Sequence, residues 1–120
     1  MAVIIKTENP QGLLSAIKSA IDDDTIRTWS HDAEGDFTHT ANQWEKRAWL
    51  RPSIREDRLV FNIVPPYNRS VSRTIYGIYH GRFIEMLLNH FDRRFTSVYA
   101  TAMPTSADRI TGQTVESSRN

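Results

Sequence analysis

Two stretches with the period of a helix bracket two stretches with the period of paired strands, and that order leaves few folds open. In residues 72–94, side chains advance by about 100° each. Tyr76, Phe83, Leu87 and Phe91 then share one side, and Arg82, Glu85, Asn89 and Asp92 share the other. Near the start of the chain, Leu13, Leu14, Ile17, Ala20 and Ile21 recur at the three-and-four spacing of a second amphipathic helix, which ends near Asp22. Asn9-Pro10 supplies its N-cap and a proline at the first helical position. The β-branched run Val3-Ile4-Ile5 ahead of it reads as a buried strand.

Between the helices the period falls to two. Residues 27–32 and 36–40 alternate around Ala33-Glu34-Gly35, a three-residue hairpin loop with Gly35 in the left-handed position. This register puts Trp29, His31, Phe37 and His39 on one face. Thr40-Ala-Asn-Gln43 has capping-box spacing, so a short helix or helical turn should carry Trp44 inward. A second hairpin follows, Trp49 to Ile54 and Leu59 to Val64 around residues 55–58, with Pro52 marking its first strand as an edge or a bulge. Pro65-Pro66 ends it, and residues 96–103 read as a closing strand stopped at Pro104.

The order strand, helix, hairpin, short helix, hairpin, helix, strand predicts an α+β fold. We expect one mostly antiparallel sheet of about five to six strands with both long helices on one face. Residues 1–104 form the single domain, within the usual domain size, and the polar, aperiodic residues 105–120 are expected to be a disordered tail. The other sheet face should carry one set drawn from Trp29, His31, Phe37, His39, Trp49, Arg51, Val60, Asn62 and Val64.

Composition narrows the function classes. With no cysteine there is neither a disulfide framework nor a thiolate site. The first residues lack a signal-peptide core, and no run of eighteen apolar residues occurs, so the sequence reads as a soluble, cytoplasmic protein without a membrane span. The formal net charge is +1, but residues 1–45 hold three Lys/Arg against eight Asp/Glu, and residues 46–120 hold twelve against six. Twelve of the fifteen cations are arginine, whose planar fork suits carboxylate and phosphate partners. Internal pairing of the two halves accounts for this layout, and so does a binding surface.

Chemistry-bearing motifs are sparse. There is no phosphate loop, nucleophile elbow, dinucleotide fingerprint or H-E-x-x-H pair, so we assign no catalytic residue and no cofactor. His31 and His39 become diagonal neighbours roughly 7–8 Å apart at the backbone, close enough to share a metal or for one to move a proton. No third ligand stands at a telling spacing, and no metal is assigned. His80 and His90 are separated by roughly 15 Å of helix and cannot share an ion.

Gly77 and Gly81, four apart on a flank of the second helix, each cost about 1 kcal/mol against alanine. They mark a close-packing notch, with the sheet, a second subunit or a ligand as the approaching group. The notch lies beside Tyr79, His80 and Arg82. Arg69 and Arg73 at the start of that helix oppose its dipole and point to an anionic partner, whereas Arg93 and Arg94 at its end complement the dipole.

The favoured expectation is a small non-enzymatic adaptor or inhibitor-type protein. It would bind a protein partner, or itself as a homodimer, through an aromatic and arginine-rich surface that includes Trp29, His31, His39, Trp49 and Arg51. A small-ligand protein or enzyme with a pocket at Tyr79, His80 and Arg82 is the first alternative. A nucleic-acid binder is the second, opposed by the acidic first half and by the lack of an RNP-type aromatic run.

Overall fold

The computed structural model describes residues 2–67 and 69–102, so the expected tail lies outside the described residues. Eight elements appear in the expected order: β1 (Ala2–Lys6), α1 (Pro10–Asp22), β2 (Trp29–His31), β3 (Phe37–His39), β4 (Trp49–Ile54), β5 (Arg58–Val64), α2 (Arg73–Phe91) and β6 (Ser97–Ala100). Six strands form one sheet in the order β2-β3-β4-β5-β1-β6, with antiparallel neighbours throughout. The first strand of the chain is thus interior, clasped between β5 and the closing strand.

Each helix starts where its cap residue allows. The Asn9 side chain accepts from Gly12 N at 3.0 Å and opens α1; Ser72 Oγ accepts from Ile75 N at 3.1 Å and opens α2. Both helices lay their apolar sides on the same sheet face. Leu13, Leu14 and Ile17 of α1 and Tyr79, Phe83 and Leu87 of α2 share one buried cluster with Val3, Ile5, Leu59, Phe61, Ile63 and Leu50. Alternation then sends Ala2, Ile4, Lys6, Arg58, Val60, Asn62, Val64, Trp49, Arg51 and Ser53 to the opposite face.

The first hairpin has the expected register, with Trp29 opposite His39 and His31 opposite Phe37. Gly35 sits at φ +85, where a side chain would be strained. Its shared face looks inward: Trp29, Phe37 and His39 are at most 2% exposed. The second hairpin pairs Trp49 with Val64 through Ile54 with Leu59. Pro52 needs no bulge, because β3 pairs with β4 only at Phe37 and Leu50. Beyond Leu50 the outer side of β4 behaves as an edge, and the missing proline N–H leaves no ladder bond unmade.

Of the short helix or helical turn expected after Thr40, the turn is what forms. Ala41 O accepts from Trp44 N and Glu45 N, both at 2.8 Å, and the coil goes no further. Thr40 Oγ1 donates to Arg27 O at 2.6 Å rather than capping its own turn. Lys46 then takes φ 56, a left-handed conformation that reverses the chain into β4.

Candidate functional site

The sequence-predicted site residues fall into four places. Trp29, His39, Tyr79 and His80 are interior, each at most 2% exposed. The Trp29 ring stacks on His39 at 5.0 Å and meets Tyr79 and Phe83 edge-on. His39 Nδ1 donates to Thr28 O at 2.6 Å, and the buried Nε2 has no hydrogen-bond partner among the described residues. His80 Nδ1 donates to Tyr76 O at 2.7 Å, one turn back on its own helix. These histidines are ordered by local acceptors, the usual fate of a buried imidazole. Arg82 lies on the exposed side of α2, away from Tyr79, so the trio does not converge on one point.

The Tyr79 hydroxyl crosses the core to the turn before β4. It donates to Trp44 O and lies 3.0 Å from Thr38 Oγ1, which itself donates to Ala48 O at 2.8 Å and accepts from Lys46 N at 3.1 Å. Two hydroxyl protons serve three oxygen contacts. Burial pushes the Tyr79 phenol above its usual range, against a smaller opposing effect of the neighbouring Thr38 hydroxyl. The network is a brace that fixes the turn carrying Lys46 and Arg47.

His31 is half-buried at the end of α1, where Nε2 donates to Asp22 Oδ1 at 2.7 Å. It therefore does not face His39 across a shared ion. Among the described residues, no group of three or more His, Cys, Asp or Glu side chains is placed to hold a metal.

Of the groups that could approach the glycine notch, no described residue of the chain does so. Gly77 and Gly81 are exposed, and a Cβ built at either meets nothing within 4 Å. They lie on the solvent side of α2 with Leu88, which is 50% exposed, and no described sheet or loop residue approaches them. The close approach their spacing suggests is not made by any described residue.

The sheet face away from the helices holds the remaining candidates. Register lines up Tyr99, Ile4, Val60 and Ser53 in one row across β6, β1, β5 and β4. Tyr99 is 46% exposed, and the other three are half-buried. Ser97, Lys6 and Arg58 form the exposed basic row beside it. On the other side, Ala2, Asn62, Val64 and Trp49 are at most 7% exposed, so Trp49 sits on this face without being available at its surface. Arg51 is held flat by Asp36, whose fully buried carboxylate accepts from Nε at 3.0 Å and Nη2 at 2.8 Å. That bidentate pairing pushes the guanidinium pKa further up and keeps it charged.

Two clefts lie at opposite ends of α2. One, of about 380 Å³, is lined by Thr7, Glu8, Asn9, Arg93, Arg94 and Phe95. Of its polar groups, Thr7 Oγ1 donates to Arg94 O at 2.8 Å and Asn9 caps α1, while Glu8 sets a carboxylate in the same wall as Arg93 and Arg94. The other, of about 370 Å³, is lined by Lys46, Arg47, Tyr67, Arg69, Ser70 and Ile75. Sequence reasoning singled out Arg69 there and missed Lys46 and Arg47, for which the only signal was charge, and Tyr67, which had none.

Comparison with protein-family models, with curated proteins and with solved structures finds no match to this chain. No described helix is long and apolar enough to cross a membrane.

Proposed function

We propose that this chain is a non-enzymatic binding protein, of the adaptor or inhibitor type, whose protein partner docks on the open part of the sheet face. The carrying observation is the cross-strand row Tyr99, Ile4, Val60 and Ser53, which reaches the surface beside Lys6 and Arg58, the latter paired with Asp57. An apolar strip with an aromatic end and a cationic rim has the composition of a protein interface core and its border. The partner this fits has an apolar centre edged by carboxylates. Antiparallel pairing holds the row rigid, so docking needs little ordering of the surface beforehand.

The test is affinity capture with the wild-type chain and with Val60→Glu/Tyr99→Glu. A partner held by the wild type and lost by that variant supports the reading. Retention by the variant, with the same partner lost on Gly77→Glu/Gly81→Glu, refutes it.

The second reading is self-association, and the outer side of α2 favours it. Gly77 and Gly81 leave a shallow groove beside the exposed Leu88, and nothing in the described chain fills it. A second copy packing α2 antiparallel would set Leu88 over Gly77 and bring Glu85 near Arg82 of the facing helix. Light scattering across a concentration series measures it directly. A dimeric mass that Gly81→Leu reduces to the monomer supports the seam, and a monomeric wild type excludes it.

A further inference from the structure

We propose that the cleft at the start of α2 binds a small ligand carrying a phosphate or diphosphate group. Three cations from two separate chain segments line it: Lys46 and Arg47 from the turn before β4, and Arg69 from the loop before α2. Among the described residues no carboxylate lines it; Glu45, the nearest in sequence, is not part of the wall. None of the three cationic side chains has an ion pair or hydrogen bond within the described chain, whereas Arg51 and Arg58 are paired with Asp36 and Asp57. Like charges gathered without a counterion repel one another, and an anion placed among them relieves that repulsion.

The positive end of the α2 dipole adds to the same field, since Ser70 and Ile75 flank the helix start and line the cleft. Arg47 and Arg69 offer planar forks suited to phosphate oxygens, and Lys46 offers a point charge. The volume of about 370 Å³ holds a compact ligand rather than a polymer. Tyr67, 39% exposed in the lining, presents a ring against which an attached heterocycle can stack.

The backbone is arranged to support this. Lys46 sits at φ 56, a costly conformation for a residue with a side chain. Its N–H is tied to Thr38 Oγ1, and so to the Tyr79 brace. The strained position is over-determined from the core, and it holds the cation-bearing turn at the cleft before any ligand arrives.

The test is calorimetric titration of the full chain with inorganic pyrophosphate and, separately, with ADP, at low and moderate salt. Saturable one-to-one binding is expected, weakened about tenfold or more by Arg47→Ala/Arg69→Ala. Lys46→Gly, which keeps the left-handed turn unstrained while deleting the ammonium, should weaken it as well. Arg93→Ala/Arg94→Ala makes the same change of charge at the opposite end of α2 and should leave binding unchanged. Equal weakening by both double variants, or no saturable binding of either probe at millimolar concentration, overturns the site. ADP binding that is tighter than pyrophosphate and sensitive to Tyr67→Ala identifies a nucleotide-like ligand. Equal binding indifferent to Tyr67→Ala identifies free diphosphate.

Discussion

Replacing Tyr79 with phenylalanine isolates one hydroxyl in a core that otherwise stays intact, because the ring remains against Trp29. The hydroxyl loses its bond to Trp44 O and its contact with Thr38 Oγ1. Neither partner is orphaned: Trp44 O still accepts from Arg47 N at 3.3 Å, and Thr38 keeps Ala48 O and Lys46 N. The expected cost at neutral pH is therefore that of a net hydrogen bond, about 1 kcal/mol, and not the larger penalty of a stranded polar group. The pH dependence is the sharper part. Burial raises the folded-state pKa of this phenol, so above the unfolded tyrosine value of about 10 the folded chain retains a proton that the unfolded chain releases. The stabilisation is complete below that pH and is lost as pH rises through the folded pKa, by up to about 1.4 kcal/mol per unit of separation. Tyr79→Phe lacks that loss, so its deficit should shrink above pH 10. Urea unfolding followed by circular dichroism from pH 8 to 11.5 measures both limbs. A deficit that stays constant across that range would refute the burial argument, and a neutral-pH deficit above about 3 kcal/mol would refute the claim that no partner is stranded.

Glycine-to-alanine changes should have opposite signs on the two helices. Gly77→Ala and Gly81→Ala add a methyl to open space and should each stabilise by about 0.5–1 kcal/mol in urea titrations. Gly12→Ala should destabilise by about 1 kcal/mol despite the same propensity gain, since its Cβ would lie 2.7 Å from Asn9 Cγ and displace the cap; equal signs at all three sites would contradict the packing described. Arg51→Ala strips the bidentate partner from a carboxylate with no exposed side-chain surface, and should cost about 2 kcal/mol. That is below the cost for a wholly buried pair because the Arg51 side chain is 39% exposed and water can replace part of it. Arg51→Lys should recover less than half of the loss, since an ammonium cannot reproduce the fork; a full recovery in thermal melts would show that charge alone matters.

The registers were legible because alternation and loop chemistry overdetermine them. Gly35 set the first hairpin, and Pro65-Pro66 limited the second. A period of two divides a strand into faces without saying which one is inside. For Trp29, His31, Phe37 and His39, two polar residues in four left the direction open, and the structure turns that face to the core. It can do so because the Nδ1 of His39 reaches the adjacent Thr28 carbonyl and its ring stacks on Trp29. That compensation is local but three-dimensional, and no sequence period encodes it. Gly77 and Gly81 show the converse. Their spacing implies a close approach, yet spacing cannot name the approaching body, and among the described residues none arrives.

The cationic cleft was the least legible feature, and the reason lies in the β4–β5 pairing. Lys46 and Arg47 are about twenty positions from Tyr67 and Arg69, with no motif linking them. The ladder pairs Trp49 with Val64, so residues just before β4 must emerge beside residues just after β5. Pro65-Pro66 cannot extend the ladder, and the left-handed turn at Lys46 cannot either, so both segments leave the sheet at the same end. The start of α2 closes the third side because Ser72 caps the helix only six residues beyond Pro66. Charges scattered in sequence are thus gathered by a hairpin whose register apolar alternation alone dictates. The one readable sign was the Arg69/Arg73 pair, placed where the helix dipole disfavours cations. An unfavourable charge at a helix start is worth following to whatever the sheet brings beside it.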